Sequence, residues 1–238
     1  MKSYSKETPE TIQQLFNSIA REYDRGNALL SFSLHNRWNR SLVQHSIEGK
    51  PPRVVLDLCS GTGEIAKHFL SMVHTPLEIF LLDFSKEMLE QAKAKLTPTS
   101  QQKLHFLQAD AHHIPLPNHT IDIATIAYGI RNVQNPKQCI EEIKRVLKPK
   151  GTLAILELTQ PTHPIARLGH TLYLKTIPTM GKWVTSNKPA YNYLCSSIQS
   201  FISPPKLCEI LRQTGFEKTQ MIPIYGGIAT ILLAKSPK

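Results

Sequence analysis

The sequence predicts an α/β protein in which a mostly parallel β-sheet carries helices on both faces and ends in an antiparallel pair of strands. From residue 53 onward, apolar runs typical of buried strands alternate with segments of helical periodicity. A glycine-rich turn joins the first of these strands to a helix. The last two strands are separated only by a short turn at Gly226-Gly227, too short for a parallel crossover, so they must be antiparallel.

The elements follow in a regular order. A first helix is expected at residues 9–25, with Thr8 placed to cap it, and the helical pattern continues to about residue 47 with a break near residues 31–35. Strands are then expected at 53–58, 78–82, 104–108, 121–127, 152–158, 216–223 and 227–234, and helices at 63–72, 86–96, 136–147 and 205–214. Residues 160–205 hold six prolines and only scattered helical spacing, which indicates a lid after strand five.

We expect a single domain over residues 1–238. Its parts are an N-terminal helical cap, a cofactor-binding core, a substrate lid, and a closing helix with a hairpin, at residues 1–50, 51–158, 159–205 and 206–238. The sequence has no run of eighteen apolar residues and no signal-peptide core at its N-terminus, so we expect a soluble, cytoplasmic protein.

The cysteines and histidines do not predict a metal site. The four cysteines, Cys59, Cys139, Cys195 and Cys208, form no CxxC pair, so neither zinc nor a disulfide framework is indicated. The adjacent pair His112-His113 has no further ligand at metal-binding spacing.

The formal net charge of +10 suits nucleic acid or an anionic membrane surface. The basic residues form no block and no aromatic-rich stripe of the kind that stacks bases, so we expect no nucleic-acid partner. Peripheral contact with anionic lipid at the inner membrane face is the expectation, and a solvated basic surface without a specific partner is the alternative.

The segment VLDLCSGTGEI, residues 55–65, is the strongest local signal. Its apolar strand ends in Asp57 and turns through Gly61, Thr62 and Gly63 into a helix whose free N–H groups point at a ligand. The spacing also fits a dinucleotide fingerprint, with Asp83 twenty positions after the second glycine. Three interpretations are therefore open: the loop binds a nicotinamide dinucleotide, it binds S-adenosylmethionine, or it is a tight turn without a ligand. The C-terminal antiparallel pair argues against the nicotinamide dinucleotide.

The chain resembles the class I S-adenosylmethionine-dependent methyltransferases. Their Rossmann-like sheet of seven strands has a GxG loop after strand one and acidic residues after strands two and three, here Asp83 in FLLDFS and Asp110-Ala111 in FLQADA. The resemblance implies that Asp83 accepts the ribose hydroxyls, that Asp110 and Ala111 read the adenine, and that Asp57 and the loop lie near the methionine portion. Capping of the helix that starts near Lys86 is the structural alternative for Asp83.

Four further motifs narrow the resemblance to the quinone C-methyltransferases of menaquinone and ubiquinone biosynthesis. They are FNSIAREYDRGNALLSF at residues 16–32, YGIRNV at 128–133, AYNYLCSSIQSF at 190–201 and the closing GGIATILLAKS. The chain departs from the family around the loop, at Cys59, Ser60 and Glu64, and at Ala127, where a serine is common. The resemblance implies S-adenosylmethionine-dependent C-methylation of a prenylated hydroquinone, with demethylmenaquinol favoured over a ubiquinone precursor.

The resemblance also implies the catalytic residues Arg131, Asn132 and Tyr23. A ring carbon becomes a good nucleophile when the neighbouring phenol is deprotonated, so Arg131 would stabilise a phenolate and Asn132 would hold a hydroxyl or a water. A guanidinium does not give up its proton, which leaves the base open among Tyr23, His112, His113 and water.

Each of these roles has a structural alternative. Arg131 could simply pair with a carboxylate of the N-terminal helices, such as Asp24. The lid side chains Tyr191, Tyr193, Ile198 and Phe201 suit a prenyl chain, or they form the core of the lid.

Two other classes of function compete with the quinone enzyme. An RNA or protein methyltransferase would suit the basic charge, but the [DN]-P-P-[FY] motif of base and amide N-methyltransferases is replaced by AYGIRN after strand four. A non-catalytic quinone-binding subunit has no need of the intact GTG, Asp83 and Asp110 set.

Overall fold

The structure, a computed structural model, describes residues 8–47, 49–181 and 188–238. Seven strands form one sheet in the order β3-β2-β1-β4-β5-β7-β6. The first five strands are parallel, and β6 and β7 form an antiparallel pair, as the sequence predicts. β7 also pairs antiparallel with β5 and so joins this pair to the parallel strands. The strands are β1 (Val54–Leu58), β2 (Leu77–Asp83), β3 (Gln102–Gln108), β4 (Ile121–Ala127), β5 (Leu147–Leu158), β6 (Glu217–Ile224) and β7 (Ala229–Lys235).

Nine α-helices lie in the described residues. They are α1 (Pro9–Ile19), α2 (Tyr23–Leu30), α3 (Leu34–Ser46), α4 (Glu64–Met72), α5 (Lys86–Lys95), α6 (Pro136–Val146), α7 (Pro164–Gly181), α8 (Lys188–Ser200) and α9 (Pro204–Gln213). A short 3₁₀ helix at Ile130–Asn132 follows β4, and a second at Tyr225–Gly227 joins β6 to β7.

Both faces of the sheet are buried, which explains the apolar strand sequences. Side chains alternate between faces, so Leu56 of β1 packs with α6 and α9 while Val55 packs with α3, α4 and α5. Because the core covers both faces of the sheet, ligands can bind only at the edge where the parallel strands end.

The N-terminal helices correct one prediction. The single helix expected at residues 9–25 is two helices, α1 and α2, separated at residues 20–22. Short i→i−3 hydrogen bonds from Ala20 N–H to Asn17 and from Glu22 N–H to Ile19 close this turn and start a new helix at Tyr23. The break predicted near residues 31–35 is confirmed, because α2 ends at Leu30 and α3 begins at Leu34.

The lid is more regular than its sequence indicates. Residues 160–205 were expected to have only scattered helical spacing, and this is wrong, because α7 and α8 occupy most of the segment. Pro164 and Pro189 lie in the first turns of these helices, where the missing N–H has no intrahelical partner to lose. The two helices pack around Leu174 and Tyr191, together with Leu30 of α2.

No helix in the described part of the chain is both long enough and apolar enough to cross a bilayer.

Candidate functional site

Three adjoining spaces open at the carboxyl ends of the parallel strands. The sheet cavity, of about 830 Å³, lies between α1 and the ends of β1–β4. The loop recess, of about 430 Å³, lies beside the glycine loop that follows β1. The helical cavity, of about 1090 Å³, is enclosed mainly by α1, α2, α7 and α8. This is the edge at which the carboxyl ends of parallel strands create a ligand crevice.

The two glycines of the loop have different surroundings: one faces the cavities and the other packs against the core. Gly61 has φ +52° and lines both the sheet cavity and the loop recess, and a Cβ built on it would meet no described atom within 4 Å. Gly63 has φ +79°, and a Cβ there would lie 2.8 Å from Cδ1 of Leu96. Thr62 lines the loop recess, and its hydroxyl donates to Asp24 at 2.6 Å. The backbone of Gly61 is therefore the part of the loop that is open to a ligand.

Asp57, at the end of β1, has one satisfied and one unsatisfied oxygen. Oδ1 accepts a hydrogen bond from the Thr125 hydroxyl at 2.9 Å, whereas Oδ2 is buried with no partner among the described residues. Burial raises the pKa of this carboxyl from 3.8 to about 7. Since Asp57 lines the loop recess, its unpaired oxygen can accept a hydrogen bond from a cationic group bound there.

Asp83 ends β2 and lines the sheet cavity. Its Oδ2 accepts the Gly61 N–H at 2.8 Å, and its Oδ1 accepts the Ser85 N–H at 2.8 Å. Each carboxylate oxygen keeps a further lone pair for a ligand hydroxyl. The capping alternative for Asp83 is wrong, because the N-cap of α5 is Ser85, whose hydroxyl accepts the Met88 N–H at 3.1 Å.

Asp110 and Ala111 follow β3 at the far end of the same cavity. Oδ1 of Asp110 accepts the backbone N–H of His112 at 2.9 Å and lies 2.7 Å from Nδ1 of its ring. Nε2 of His112 accepts the Asn135 N–H at 3.1 Å, so the ring proton resides on Nδ1 and both nitrogens are engaged. His113 is exposed.

These groups fit S-adenosylmethionine. Asp83 offers acceptors for ribose hydroxyls, Asp110 and Ala111 lie at the end of the sheet cavity for the adenine, and the unpaired oxygen of Asp57 suits the ammonium group. Gly61 leaves the space between them open.

The helical cavity has mainly apolar walls, with a few polar side chains. It shares Phe16, Tyr23 and Tyr128 with the sheet cavity, and Tyr23 and Tyr128 line the loop recess as well. These two tyrosines therefore mark the junction at which molecules held in the different spaces come together. The lining includes Leu15, Ile19, Leu30, His35, Arg131, His170, Leu174, Ile177, Tyr191 and Ile198.

Arg131 lies in the wall of the helical cavity as half of a buried ion pair. Its Nη1 donates to Oε1 of Glu157 at 2.5 Å and to the Tyr128 carbonyl at 2.6 Å, while Nε donates to the Ser197 hydroxyl at 3.3 Å. The proposed pairing with Asp24 is wrong, because Asp24 accepts from Thr62 and Lys95 instead. The β4–β5 register explains the choice of partner, since it places Glu157 beside the turn that follows β4.

Asn132 connects the turn after β4 to the lid. Its Oδ1 accepts a hydrogen bond from the Tyr193 hydroxyl at 3.0 Å, and its side chain lines the sheet cavity. Tyr191, Tyr193 and Ile198 line the helical cavity, whereas Phe201 packs against the core beneath the sheet. The lid thus contributes three of its four candidate side chains to the cavity wall.

Two residues at the site, Glu157 and His35, lie outside the sequence motifs, and a third, Tyr128, begins the YGIRNV motif but receives no role from it. Glu157 is a single charge in the apolar strand sequence TLAILEL, a pattern that points to a buried ion pair or a site. Tyr128 has φ +55°, uncommon for a residue with a side chain, and it follows β4. Nothing in the sequence around His35 marks it as a site residue, because its place at the site depends on how the helical cap folds over the sheet.

Within the described residues, no group of three or more His, Cys, Asp or Glu side chains is placed to hold a metal ion.

Comparison with known proteins identifies relatives over the full chain. Residues 2–235 match the ubiE/COQ5 methyltransferase family. The chain is 47% identical over 240 residues to the demethylmenaquinone methyltransferase of Protochlamydia amoebophila (strain UWE25), covering 100% of this chain and 99% of the relative. The corresponding protein of Chlamydia pneumoniae is 41% identical, with coverage of 93% and 94%.

Solved structures support the fold. A SAM-dependent methyltransferase from Aquifex aeolicus aligns with a TM-score of 0.64 at 19% identity, covering 92% of this chain and 98% of that one. The CurJ carbon methyltransferase aligns with a TM-score of 0.62 at 16% identity, covering 98% and 72%. Since the family match spans nearly the whole chain and the cavities carry the donor set described above, the chain belongs to the ubiE/COQ5 methyltransferase family and is an S-adenosylmethionine-dependent methyltransferase.

Proposed function

We propose that this methyltransferase methylates a ring carbon of a prenylated hydroquinone, and that demethylmenaquinol is its substrate. One observation carries the proposal: a large, mainly apolar cavity adjoins the sheet cavity and meets it at Tyr23 and Tyr128. An apolar wall of this extent suits a prenylated ring, because burial of apolar surface drives binding. The relatives named demethylmenaquinone methyltransferase support the choice of ring.

The chain's own groups supply binding, orientation and electrostatics. Bound S-adenosylmethionine supplies a methyl carbon made electrophilic by the positively charged sulfur to which it is attached. Asp57 and Asp83 hold the two ends of this donor, and the cap and lid helices shield the junction from water. Burial raises the pKa of Tyr23, so its hydroxyl keeps its proton at neutral pH and donates a hydrogen bond to the ring oxygen.

Arg131 and Asn132 complete the acceptor side. Glu157 and Ser197 fix the guanidinium of Arg131 in the cavity wall, where its charge stabilises a phenolate. Asn132 holds Tyr193, and with it α8, against the turn after β4.

The test is methyl transfer from labelled S-adenosylmethionine to four acceptors supplied separately: reduced demethylmenaquinone, oxidised demethylmenaquinone, a reduced ubiquinone precursor and bulk tRNA. We expect label in reduced demethylmenaquinone, and loss of most of it in Arg131→Ala. Label in the ubiquinone precursor alone would reassign the ring. Label in RNA, or in no acceptor while the donor still binds, would refute the quinone function.

The outer face of α7 supports a membrane-docked enzyme. Ile165, Leu168 and Leu172 recur at helical spacing and are 77%, 62% and 55% exposed, while Leu174 and Ile177 of the same helix line the helical cavity. α7 carries Arg167 and Lys175 and no acidic residue, and the chain as a whole has a formal net charge of +10. An exposed apolar face with basic residues beside it suits an anionic membrane interface, the environment of a prenylated substrate.

Vesicle co-sedimentation tests this docking. We expect the protein to pellet with phosphatidylcholine vesicles that contain phosphatidylglycerol, and to pellet less with pure phosphatidylcholine. Leu168→Ser with Leu172→Ser should weaken binding, whereas Met221→Ser, an exposed apolar residue on β6, serves as the matched control. Equal binding by all three proteins would show that α7 is not the docking surface.

A further inference from the structure

His35 lies where the donor and acceptor spaces meet. It is the second residue of α3, and it lines both the helical cavity and the loop recess. Tyr23 and Tyr128 line the same two spaces, so the imidazole belongs to the junction described above. Phe32 and Ser33, both at positive φ, make the sharp turn that brings the start of α3 to this point.

The hydrogen bonds of His35 fix which ring nitrogen carries the proton. The hydroxyl of Ser31 donates its single hydrogen to the carbonyl of Asn27 at 2.6 Å. The same hydroxyl oxygen lies 2.7 Å from Nδ1 of His35 and must therefore accept from it. In the neutral ring Nδ1 is protonated and Nε2 is bare, and no hydrogen bond from the described residues engages Nε2. A histidine held in this way is prepared to accept a proton.

The other candidate bases lack this property. Burial raises the pKa of Tyr23, which keeps its proton, and both nitrogens of His112 are engaged by Asp110 and Asn135. His113 is exposed.

On the basis of the proposed function, we propose that Nε2 of His35 is the general base that takes the proton of the ring hydroxyl next to the carbon to be methylated. As that proton moves to His35, the electron pair released into the ring forms the new carbon–carbon bond, and the pair of the breaking methyl–sulfur bond stays on sulfur. The imidazolium then returns its proton to the ring oxygen while the hydrogen on the methylated carbon leaves to water. The net products are the methylated hydroquinone, S-adenosylhomocysteine and one proton.

The surroundings of His35 keep it neutral near pH 7. Partial burial lowers its pKa below 6.5, against the opposing attraction of Glu64 and Asp24. Lys95 pairs with both of these carboxylates at 2.7 Å, which limits their pull on the imidazole. The titratable and charged neighbours are Tyr23 and Asp24 of α2, Asp57 and Cys59 at the end of β1, Glu64 and His68 of α4, Lys95 of α5, and Tyr128 after β4.

The decisive variant is His35→Asn, because the asparagine amide can still donate to Ser31 while Nε2 is removed. We expect kcat with reduced demethylmenaquinone to fall by about 10²–10⁴-fold. The Kd for S-adenosylmethionine, measured by calorimetry, should stay the same, which separates loss of the base from loss of the donor site. In the wild type, kcat should fall on an acid limb below pH 6.5, and this limb should be missing in the variant.

Chemical rescue and a matched control complete the test. Imidazole in the buffer should restore part of the activity of His35→Ala, because the small molecule can replace the missing ring. His45→Asn is the control: His45 is on the same α3, its Nδ1 contacts Ser41 four residues earlier, and it is exposed. Its kcat should equal that of the wild type.

Two outcomes separate the proposals. If the wild type methylates the hydroquinone and His35→Asn does so equally well, or if imidazole does not rescue His35→Ala while the donor still binds, the role of His35 is overturned and the proposed function stands. If the wild type methylates no hydroquinone, both fall. Independently, ¹⁵N NMR of the wild type should show the Nδ1–H tautomer at His35, and an Nε2–H tautomer would contradict the mechanism.

Discussion

At the scale of single residues, two buried carboxyl groups, one near the end of β5 and one near the end of β1, differ in how their oxygens are satisfied. Glu157 is fully buried, and Arg131 and the Leu158 N–H satisfy it. Asp57 is 1% exposed and keeps one oxygen unsatisfied. Buried polar groups are normally paired, so we assign the first to the fold and propose the second as a contact for the bound donor.

The affinity for S-adenosylmethionine should depend on pH through Asp57. Its carboxyl has a pKa of about 7 in the free protein, and an ammonium bound beside it favours the ionised form, so binding must release a proton when the pH is below 7. The affinity should therefore fall as the pH drops below 7, by up to about tenfold per pH unit. Calorimetry from pH 5.5 to 8 measures this dependence.

Asp57→Asn is the matched variant for that titration. It should bind the donor weakly at every pH and lose the dependence below pH 7. A wild-type affinity that is constant over this range would place the donor's ammonium away from Asp57.

Breaking the Arg131–Glu157 pair should destabilise the fold. Glu157→Ala leaves an uncompensated buried guanidinium, which costs about 3–5 kcal/mol in the free energy of unfolding. Glu209→Ala removes one member of the exposed pair with Lys206, and we expect no measurable change in the free energy of unfolding. Urea denaturation of both variants gives the comparison, and similar losses in the two would contradict the buried pair.

At the scale of elements, most of the helices and strands follow from local rules. Thr8 caps α1 by accepting the Thr11 N–H, Pro136 starts α6, and the apolar strand sequences lie within one or two residues of most of their predicted limits. The lid could not be read in the same way. α7 is apolar toward the helical cavity and apolar on its exposed face, so its sequence lacks the clean polar stripe that marks a surface helix.

The two glycines of the loop predict different effects on substitution, because Gly63 packs against the core and Gly61 faces the cavity. In Gly63→Ala the new methyl would lie 2.8 Å from Cδ1 of Leu96 at a positive φ, so the protein should lose about 1–3 kcal/mol of stability. In Gly61→Ala the new methyl enters open space in the sheet cavity. The loss of binding free energy for the donor should therefore exceed the loss of free energy of unfolding. Thermal unfolding together with calorimetry measures both, and equal effects of the two variants on donor affinity would contradict this division.

At the scale of the whole molecule, the residues proposed to bind the donor and those proposed to bind the acceptor lie in separate walls of one crevice. The donor residues come from strand ends and follow motifs in sequence order, which is why Asp57, Gly61, Asp83 and Asp110 are readable from the sequence. The acceptor wall combines a helical cap, a lid far along the chain and the buried end of β5. Glu157 and His35 become neighbours of the site only through this tertiary assembly.

This separation predicts that the acceptor space can be blocked without affecting the donor. Leu174→Trp fills the helical cavity from α7, so KM for the prenylated hydroquinone should rise by at least about tenfold. A tenfold change corresponds to about the free energy of one lost side-chain contact. The Kd for S-adenosylmethionine should not change. Thr176→Trp, on the exposed side of the same helix, is the control. An unchanged KM in Leu174→Trp would show that the prenylated ring binds elsewhere.

The position of the transferred methyl group is the most direct test of methylation at a ring carbon. The enzyme is supplied with ¹³C-methyl S-adenosylmethionine and reduced demethylmenaquinone, and the product is analysed by NMR. We expect a methyl group bonded to a ring carbon, formed only from the reduced quinone. A methyl group on the ring oxygen, or product formed equally from the oxidised quinone, would contradict it.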